Sequence, residues 1–433
     1  MHQQAKNNGV ADRWSVARLA LAVFILAALV RFWFVFIEHE PWKYVAADIA
    51  EYVSRAERLK AGVYGPQDAF IPVGYPAFIA GIIALGVGLK TVAFVQILAG
   101  ALGAAACVAI VARMTGSRAA AGVGGFIAAL YPPSVFFTGF FLTETITCAL
   151  LTVAIACLTV PRGTGRVWGI VTGGILLGAA ASVRPNIAIF LPILLALAVV
   201  LVRSGRRSRV SGMVATVAVA VACLAPASAF TSHITGRLSG PGTNGGVNFF
   251  LAMTEYQVVR EGTPIGFGVL QIVPSNERSM YLSPRSLTDE RFFYRETIRR
   301  VVERPALLLA IPDRIRRGIG LGQEPLWPGM PGYDRLLAFS VTILTLLALL
   351  PAILRVPVDL LMRRATPWTR AVCWGATLSL VLTLAFFLAE PRMTVPFAPI
   401  LIALGCDAWA WAIELVKTRA HLPTNQDMRV LST

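Results

Sequence analysis

Charge is scarce in this 433-residue chain: Asp, Glu, Lys and Arg together make up 14%, against 56% hydrophobic residues and a mean hydropathy of +0.68. So little polar surface excludes an ordinary soluble globular protein and implies a polytopic membrane protein. Cysteine offers no chemistry. All six (Cys107, Cys148, Cys157, Cys223, Cys373 and Cys406) fall in apolar runs. No CxxC or Cys/His spacing occurs, which argues against a disulfide framework or structural zinc and leaves them as small packing residues. Also missing are an obvious inverted repeat and a soluble domain at either end.

What is present is a series of long apolar runs. About 20 helical residues cross the hydrocarbon, and ten runs qualify: 18–37, 91–112, 118–137, 141–160, 167–183, 186–202, 210–230, 335–354, 371–389 and 394–416. An eleventh, Tyr75 to Leu89, is short, begins in a Gly/Pro-rich loop and abuts the next run at Lys90. The net charge of +16 would suggest nucleic acid in a soluble protein; here it bears on topology. With a cytoplasmic N-terminus and a non-crossing Tyr75 to Leu89 helix, segments 113–118, 162–166, 203–209 and 355–370 fall inside, carrying +2, +2, +4 and +3. With residues 1–18 (+2) and 414–433 (+1) the inside totals +14, against −2 for 38–73 and +2 for 231–334. That is the positive-inside pattern, both termini cytoplasmic, and a crossing at 75–89 would invert it. The first helix is too long, and too poorly followed by a small-residue cleavage site, for a removable signal peptide, and is expected to stay as an anchor.

The chain thus divides into an N-terminal membrane module, 1–230, with an outer loop at 38–74; an outer segment, 231–334; and C-terminal membrane helices with a short tail, 335–433. Asp48 to Lys60 has helical spacing and reads as a helix on the membrane face, Asp48, Glu51, Tyr52 and Arg55 sharing one side. In the second segment, Ser239 to Asn248 reads as a Gly/Asn-rich turn region. A charged helix is signalled at Ser286-Leu287-Thr288-Asp289 and runs to Glu303, and Ala306 to Gly322 reads as a surface-lying element.

Candidate chemistry sits at outer helix ends. Asp48 and Glu51 lie one helical turn apart beside the membrane, either as a general base with its helper or as solvated charges paired to Arg55 and Lys60. Glu144, after Tyr131-Pro132-Pro133 and Thr143, is a site acid or a carboxylate stabilising a helix N-terminus. Arg184, in Ser182-Val183-Arg184-Pro185-Asn186, holds an anion or snorkels to lipid phosphate. Glu390-Pro391-Arg392 is a further cluster or a salt-linked turn. Four separate outer turns carry acid or arginine while the spans carry almost none, which predicts that these turns meet in space.

The order of these motifs (acidic first loop, Gly74-Tyr75-Pro76, Tyr131-Pro132-Pro133 with Thr143-Glu144, Arg184-Pro185, Thr243-Asn244-Gly245-Gly246 and Glu390-Pro391-Arg392) resembles the GT-C glycosyltransferases. Within them it is similar to the bacterial branch related to protein O-mannosyltransferases and the lipid A aminoarabinose transferase. The resemblance covers about residues 15–416. It implies an all-α GT-C-like bundle of about ten transmembrane helices with outer-face juxtamembrane helices, in a bacterial inner membrane, its active site on the periplasmic face. It also implies a polyprenyl-phosphate sugar donor and an envelope lipid, glycan or protein as acceptor, with membrane lipids as further partners and no nucleic acid. Asp48 matches the family's first-loop aspartate. The family's adjacent acidic pair is separated here as Asp48 and Glu51, and its Pro-Pro-Gly-Tyr-Pro reads Pro72-Val73-Gly74-Tyr75-Pro76. Acceptor recognition is expected mainly from Thr231 to Asp334.

A donor that already carries a phosphate leaving group requires a base for the acceptor hydroxyl and cations for the departing phosphate, not a second catalytic carboxylate to protonate the leaving oxygen. The expected catalytic residues are Asp48, Glu51 and Glu144. The expected substrate-binding residues are Tyr52, Tyr75, Arg184, Asn244, Glu390 and Arg392, arginine suiting phosphate through its planar fork. Asp48 and Glu144 are candidate ligands for Mg or Mn if a divalent cation takes part. Competing classes are a lipid-linked sugar transporter or scramblase, which would place polar groups near the midplane, an envelope-glycan polymerase or ligase using a diphosphate-linked donor, and a noncatalytic subunit.

Overall fold

The computed structural model describes residues 2–45, 47–160, 165–202, 207–255, 288–321, 334–361, 368–387 and 389–420. Among them every regular element is helical. The first half contains α1 (His2–Trp33), α2 (Ala47–Lys60), α3 (Gly74–Ala84), α4 (Leu89–Thr115), α5 (Arg118–Leu130), α6 (Pro132–Thr138), α7 (Thr143–Leu158), α8 (Gly165–Val183), α9 (Phe190–Val202), α10 (Arg207–Thr235) and α11 (Asn244–Phe250). The second contains α12 (Glu290–Glu303), α13 (Ile311–Gly318), α14 (Asp334–Leu344), α15 (Leu350–Leu361), α16 (Trp368–Phe386) and α17 (Ala398–Ala420).

Of the ten expected crossings, seven coincide with helices long and apolar enough to span a membrane, and an eighth is the pair α5 and α6, bent by 45°. The bend falls at Tyr131-Pro132-Pro133, where proline opens α6 at a position that needs no N–H donor. The remaining two, 141–160 and 186–202, are shorter apolar helices, Thr143–Leu158 and Pro185–Val200. Their shortness has a physical cause. Glu144 and Arg184 sit at the starts of these segments, so each begins at a polar site within the bundle, and α7 is buried along almost its whole length and need not match the lipid thickness. The run from Tyr75 forms α3, 11 residues long. Its length of about 16 Å is half of what a crossing needs.

Close backbone approach sets the packing. Gly174 and Gly178 lie one turn apart on α8, and a Cβ on either would stand 2.7 Å from the Thr216 carbonyl oxygen and 2.3 Å from that of Ala220, respectively. This small-residue spacing lets α8 and α10 touch, which in lipid is the source of helix association. The same constraint builds the site: a Cβ on Gly74 would lie 2.4 Å from the Ser182 carbonyl carbon, so α3 starts hard against the end of α8, two residues before Arg184.

Of three expectations for the segment 231–334, two change and one holds. Within Ser239 to Asn248 the chain does not remain a turn but enters α11 at Asn244. The charged helix begins at Glu290, capped by Asp289, whose carboxylate accepts from the Phe292 N–H at 3.4 Å; Ser286 and Leu287 lie outside the described residues. The stretch from Ala306 is only partly surface-lying. Arg314 is 1% exposed and donates to the Ala252 carbonyl, and Gly318 packs on Leu384 of α16. An arginine that donates to a backbone oxygen can be buried, a contact that hydropathy does not register. Parts of the basic segments 162–166, 203–209 and 355–370, and the tail after Ala420, lie outside the described residues.

Candidate active site

Two segments far apart in sequence are stitched together by backbone. Val73 N–H donates to the Pro241 carbonyl at 3.2 Å, Thr243 N–H to Ala69 at 2.9 Å, and Asn244 N–H to Phe70 at 3.0 Å. Beneath this seam lies a cavity of about 710 Å³, within the ~300–1,000 Å³ usual for ligand sites. Asp48 and Tyr52 enter it from α2, Glu144 from the first turn of α7, Arg184 from the end of α8, Asn244 from α11, and Glu390 and Arg392 from the turn before α17. Seven of the nine residues predicted from sequence therefore share one cavity, as the convergence of helix ends predicts.

Its charges form two pairs. Glu144 is 1% exposed and its Oε1 stands 3.3 Å from Arg184 Nη1, while the other oxygen, Oε2, is buried without a hydrogen-bond partner. The 3.3 Å contact itself lacks hydrogen-bond alignment on the arginine side, so attraction of charge holds it. Arg184 Nη2 reaches Met393 Sδ at 3.0 Å. In the second pair, Arg392 Nη1 stands 3.5 Å from Asp48 Oδ2, and Arg392 Nε also contacts Glu390. Asp48 remains 56% exposed at the side chain, so it is both open to the cavity and oriented by a guanidinium.

Tyr52 stands among these four groups. Burial, and after it the negative charge of Glu144, pushes its phenol up to about 12, so at neutral pH it is a neutral hydrogen-bond donor. Its ring meets that of Tyr75 edge to face, centroids 5.1 Å apart. Tyr75 does not reach the cavity. It is fully buried behind Tyr52 and donates to the Gln96 side chain, whose amide is in turn tied to the Phe140 carbonyl at 2.9 Å. The expected substrate contact is thus a supporting one, because the turn at Gly74 directs Tyr75 inward.

Glu51 also departs from expectation. It is not among the cavity residues; its carboxylate accepts from Arg55 Nε at 2.7 Å. Arg55, 3% exposed, donates onward to the carbonyls of Gln67, Asp68 and Ile71. The acid therefore neutralises a buried arginine that fixes the 67–71 loop under the cavity. Sequence reasoning missed Glu290 and Tyr294 of α12, which line the same cavity. The available signal was the tight Gly245-Gly246 step: a Cβ on Gly245 would lie 2.8 Å from both Glu290 Oε1 and Tyr294 Oη.

A divalent cation finds a thin donor set. Among the described residues no three of His, Cys, Asp and Glu converge, and Asp48 and Glu144 each face a guanidinium that supplies their counter-charge. Mg would take about six oxygens, so these two carboxylates do not by themselves make a cage.

No protein-family model matches the sequence, and no curated protein matches it either. Solved structures do match in shape. One is the archaeal oligosaccharyltransferase AglB from Archaeoglobus fulgidus in complex with an inhibitory peptide and a dolichol-phosphate, a member of the GT-C superfamily, with a TM-score of 0.53 at 15% identity. The fold is GT-C-like. The match covers 93% of this chain and 51% of that one, so this chain spans about half the length of its structural neighbour. The GT-C-like architecture is that of an all-α polytopic membrane protein, as composition and hydropathy require.

Proposed function

We propose that the chain is a membrane glycosyltransferase that moves a hexosyl or pentosyl group from a polyprenyl-phosphate donor to an envelope acceptor on the non-cytoplasmic face of a bacterial inner membrane. One observation carries the reading: two arginines and two carboxylates from four distant helix ends line one cavity, with hydrogen-bonding capacity left over at Glu144 and Arg184. Leftover capacity on buried charged groups is expensive unless a ligand completes it. A lipid phosphate would do so, and the structural neighbour was solved with a dolichol-phosphate. The positive-inside distribution supports the placement of this end outside, and the motif order supports kinship with the O-mannosyl- and aminoarabinose-transferring branch.

In the proposed reaction Asp48 takes the proton of the acceptor hydroxyl while its oxygen attacks the anomeric carbon. The bond from that carbon to the phosphate oxygen breaks, and the negative charge gathering on the lipid phosphate is met by Arg184 and Arg392. Tyr52 donates a hydrogen bond to the same oxygens. A single displacement inverts the anomeric centre. The test uses the full chain in proteoliposomes with radiolabelled polyprenyl-phosphate sugars. Arg392→Ala should abolish donor binding in a folded protein and product from the wild type should be inverted. Unchanged donor affinity in both Arg392→Ala and Arg184→Ala removes the phosphate assignment.

A further inference from the structure

The cavity is chemically divided, and the second division has no role in the reaction above. Asp48, Glu144 and Glu390 each face a guanidinium. Glu290 does not: among the described residues its carboxyl is engaged by the Tyr294 hydroxyl alone, and burial holds it above the usual carboxylate range. Glu290 enters from α12 and stands against α11 at Gly245, whereas the charge pairs come from α2, α7, α8 and the turn before α17, which gives the cavity a second wall. On the Glu290 wall, Asn244 and Asn248 lie one turn apart on α11 and both reach the cavity. An aromatic set accompanies them: Phe249 packs on Tyr294 at 5.7 Å and on Phe387 at 5.9 Å between centroids, and Phe387 itself lines the cavity.

Amides that donate and accept, a carboxyl without a cation, a phenol and an aromatic ring satisfy hydroxyl groups presented on an apolar ring. They suit an anion badly, since among the described residues no arginine or lysine lines this wall and Glu290 repels negative charge. We propose that the wall formed by Asn244, Asn248, Glu290 and Tyr294 is the acceptor subsite, and that the acceptor it takes is a carbohydrate hydroxyl rather than a phosphate-bearing lipid headgroup or a peptide. This rests on the glycosyltransferase reading and narrows its acceptor. The glycine at 245 is then a specificity feature as well, because any side chain there would push Glu290 and Tyr294 out of place.

The full-length protein in nanodiscs of zwitterionic lipid is titrated with four probes: undecaprenyl phosphate, a panel of methyl hexosides and pentosides, glycerol phosphate, and a serine-containing tetrapeptide. At least one methyl glycoside should bind. Glu290→Gln should weaken it about 10- to 100-fold, the loss expected for a hydrogen bond to a charged group, and Tyr294→Phe, which keeps the packing, should weaken it less. Undecaprenyl phosphate should bind Glu290→Gln as it binds the wild type and should be lost in Arg184→Ala. Binding of no glycoside, or binding of glycerol phosphate or the tetrapeptide with dependence on Glu290, overturns the acceptor assignment. Failure of undecaprenyl phosphate to bind the wild type instead overturns the donor assignment, so the two readings fail separately.

Discussion

At one end of the bundle, Arg370 grips Asp407 with two nitrogens, at 2.6 and 3.1 Å, and Arg355 adds 3.0 Å to the carboxylate and 2.8 Å to the Asp407 carbonyl. At the other, Arg184 and Glu144 stand 3.3 Å apart and Arg392 and Asp48 3.5 Å apart. The first cluster borders residual space of about 10 Å³, about enough for one water; the second borders about 710 Å³. The ingredients are the same, and the difference is saturation. A bidentate pair in a closed space has no capacity left for a ligand and acts as a staple between helices, here α15, α16 and α17. A loosely aligned pair beside open volume keeps donors and acceptors that a substrate can complete.

This contrast can be broken by substitution. The largest effect is expected from Asp48→Asn, which removes the base but keeps the shape: turnover should fall about 10²- to 10⁴-fold, with thermal stability unchanged, as read by product formation and unfolding in the same detergent. Turnover near wild type would end Asp48's role. The mirror experiment is Asp407→Asn, which leaves two arginines uncompensated and should cost about 3–5 kcal/mol of stability. It should lower the unfolding midpoint while donor affinity per folded molecule holds; a loss of donor affinity without loss of stability would erase the distinction between the two ends. Smallest is Glu51→Gln. Its side chain is 43% exposed, and Asp68, 3.9 Å from Arg55, stays as a counter-charge to the buried arginine, so the loss should be about 1 kcal/mol after screening. Transfer should stay within severalfold of wild type, and a fall matching that of Asp48→Asn would return Glu51 to the chemistry.

Most of the candidate site was legible because chemistry in a membrane protein collects where charge is tolerated, at helix ends. Asp48, Glu144, Arg184, Glu390 and Arg392 were found that way, and the short α3 from the length of its apolar run and the positive-inside balance. What could not be read was direction and depth. Glu51 and Asp48 share a helix face in sequence, yet Arg55 draws one of them away from the cavity. Tyr75 belongs to a motif that marks the site but points behind it. Glu290 looked like one more charge on an amphipathic helix, because nothing local shows that Gly245 lets α11 close upon it.

By itself the sequence determined the class of the molecule, the positions of its apolar runs and the polar turns between them. These follow from composition and periodicity, which are properties of neighbouring residues. Only the tertiary structure decided that Asp48 meets Arg392 across 344 residues, that Glu144 is paired and buried, and that one cavity has an arginine wall and an amide wall. Those facts depend on how closely helix backbones approach, at Gly74 against Ser182 and at Gly245 against Glu290. That distance is set by two side-chain volumes at once, one from each distant segment.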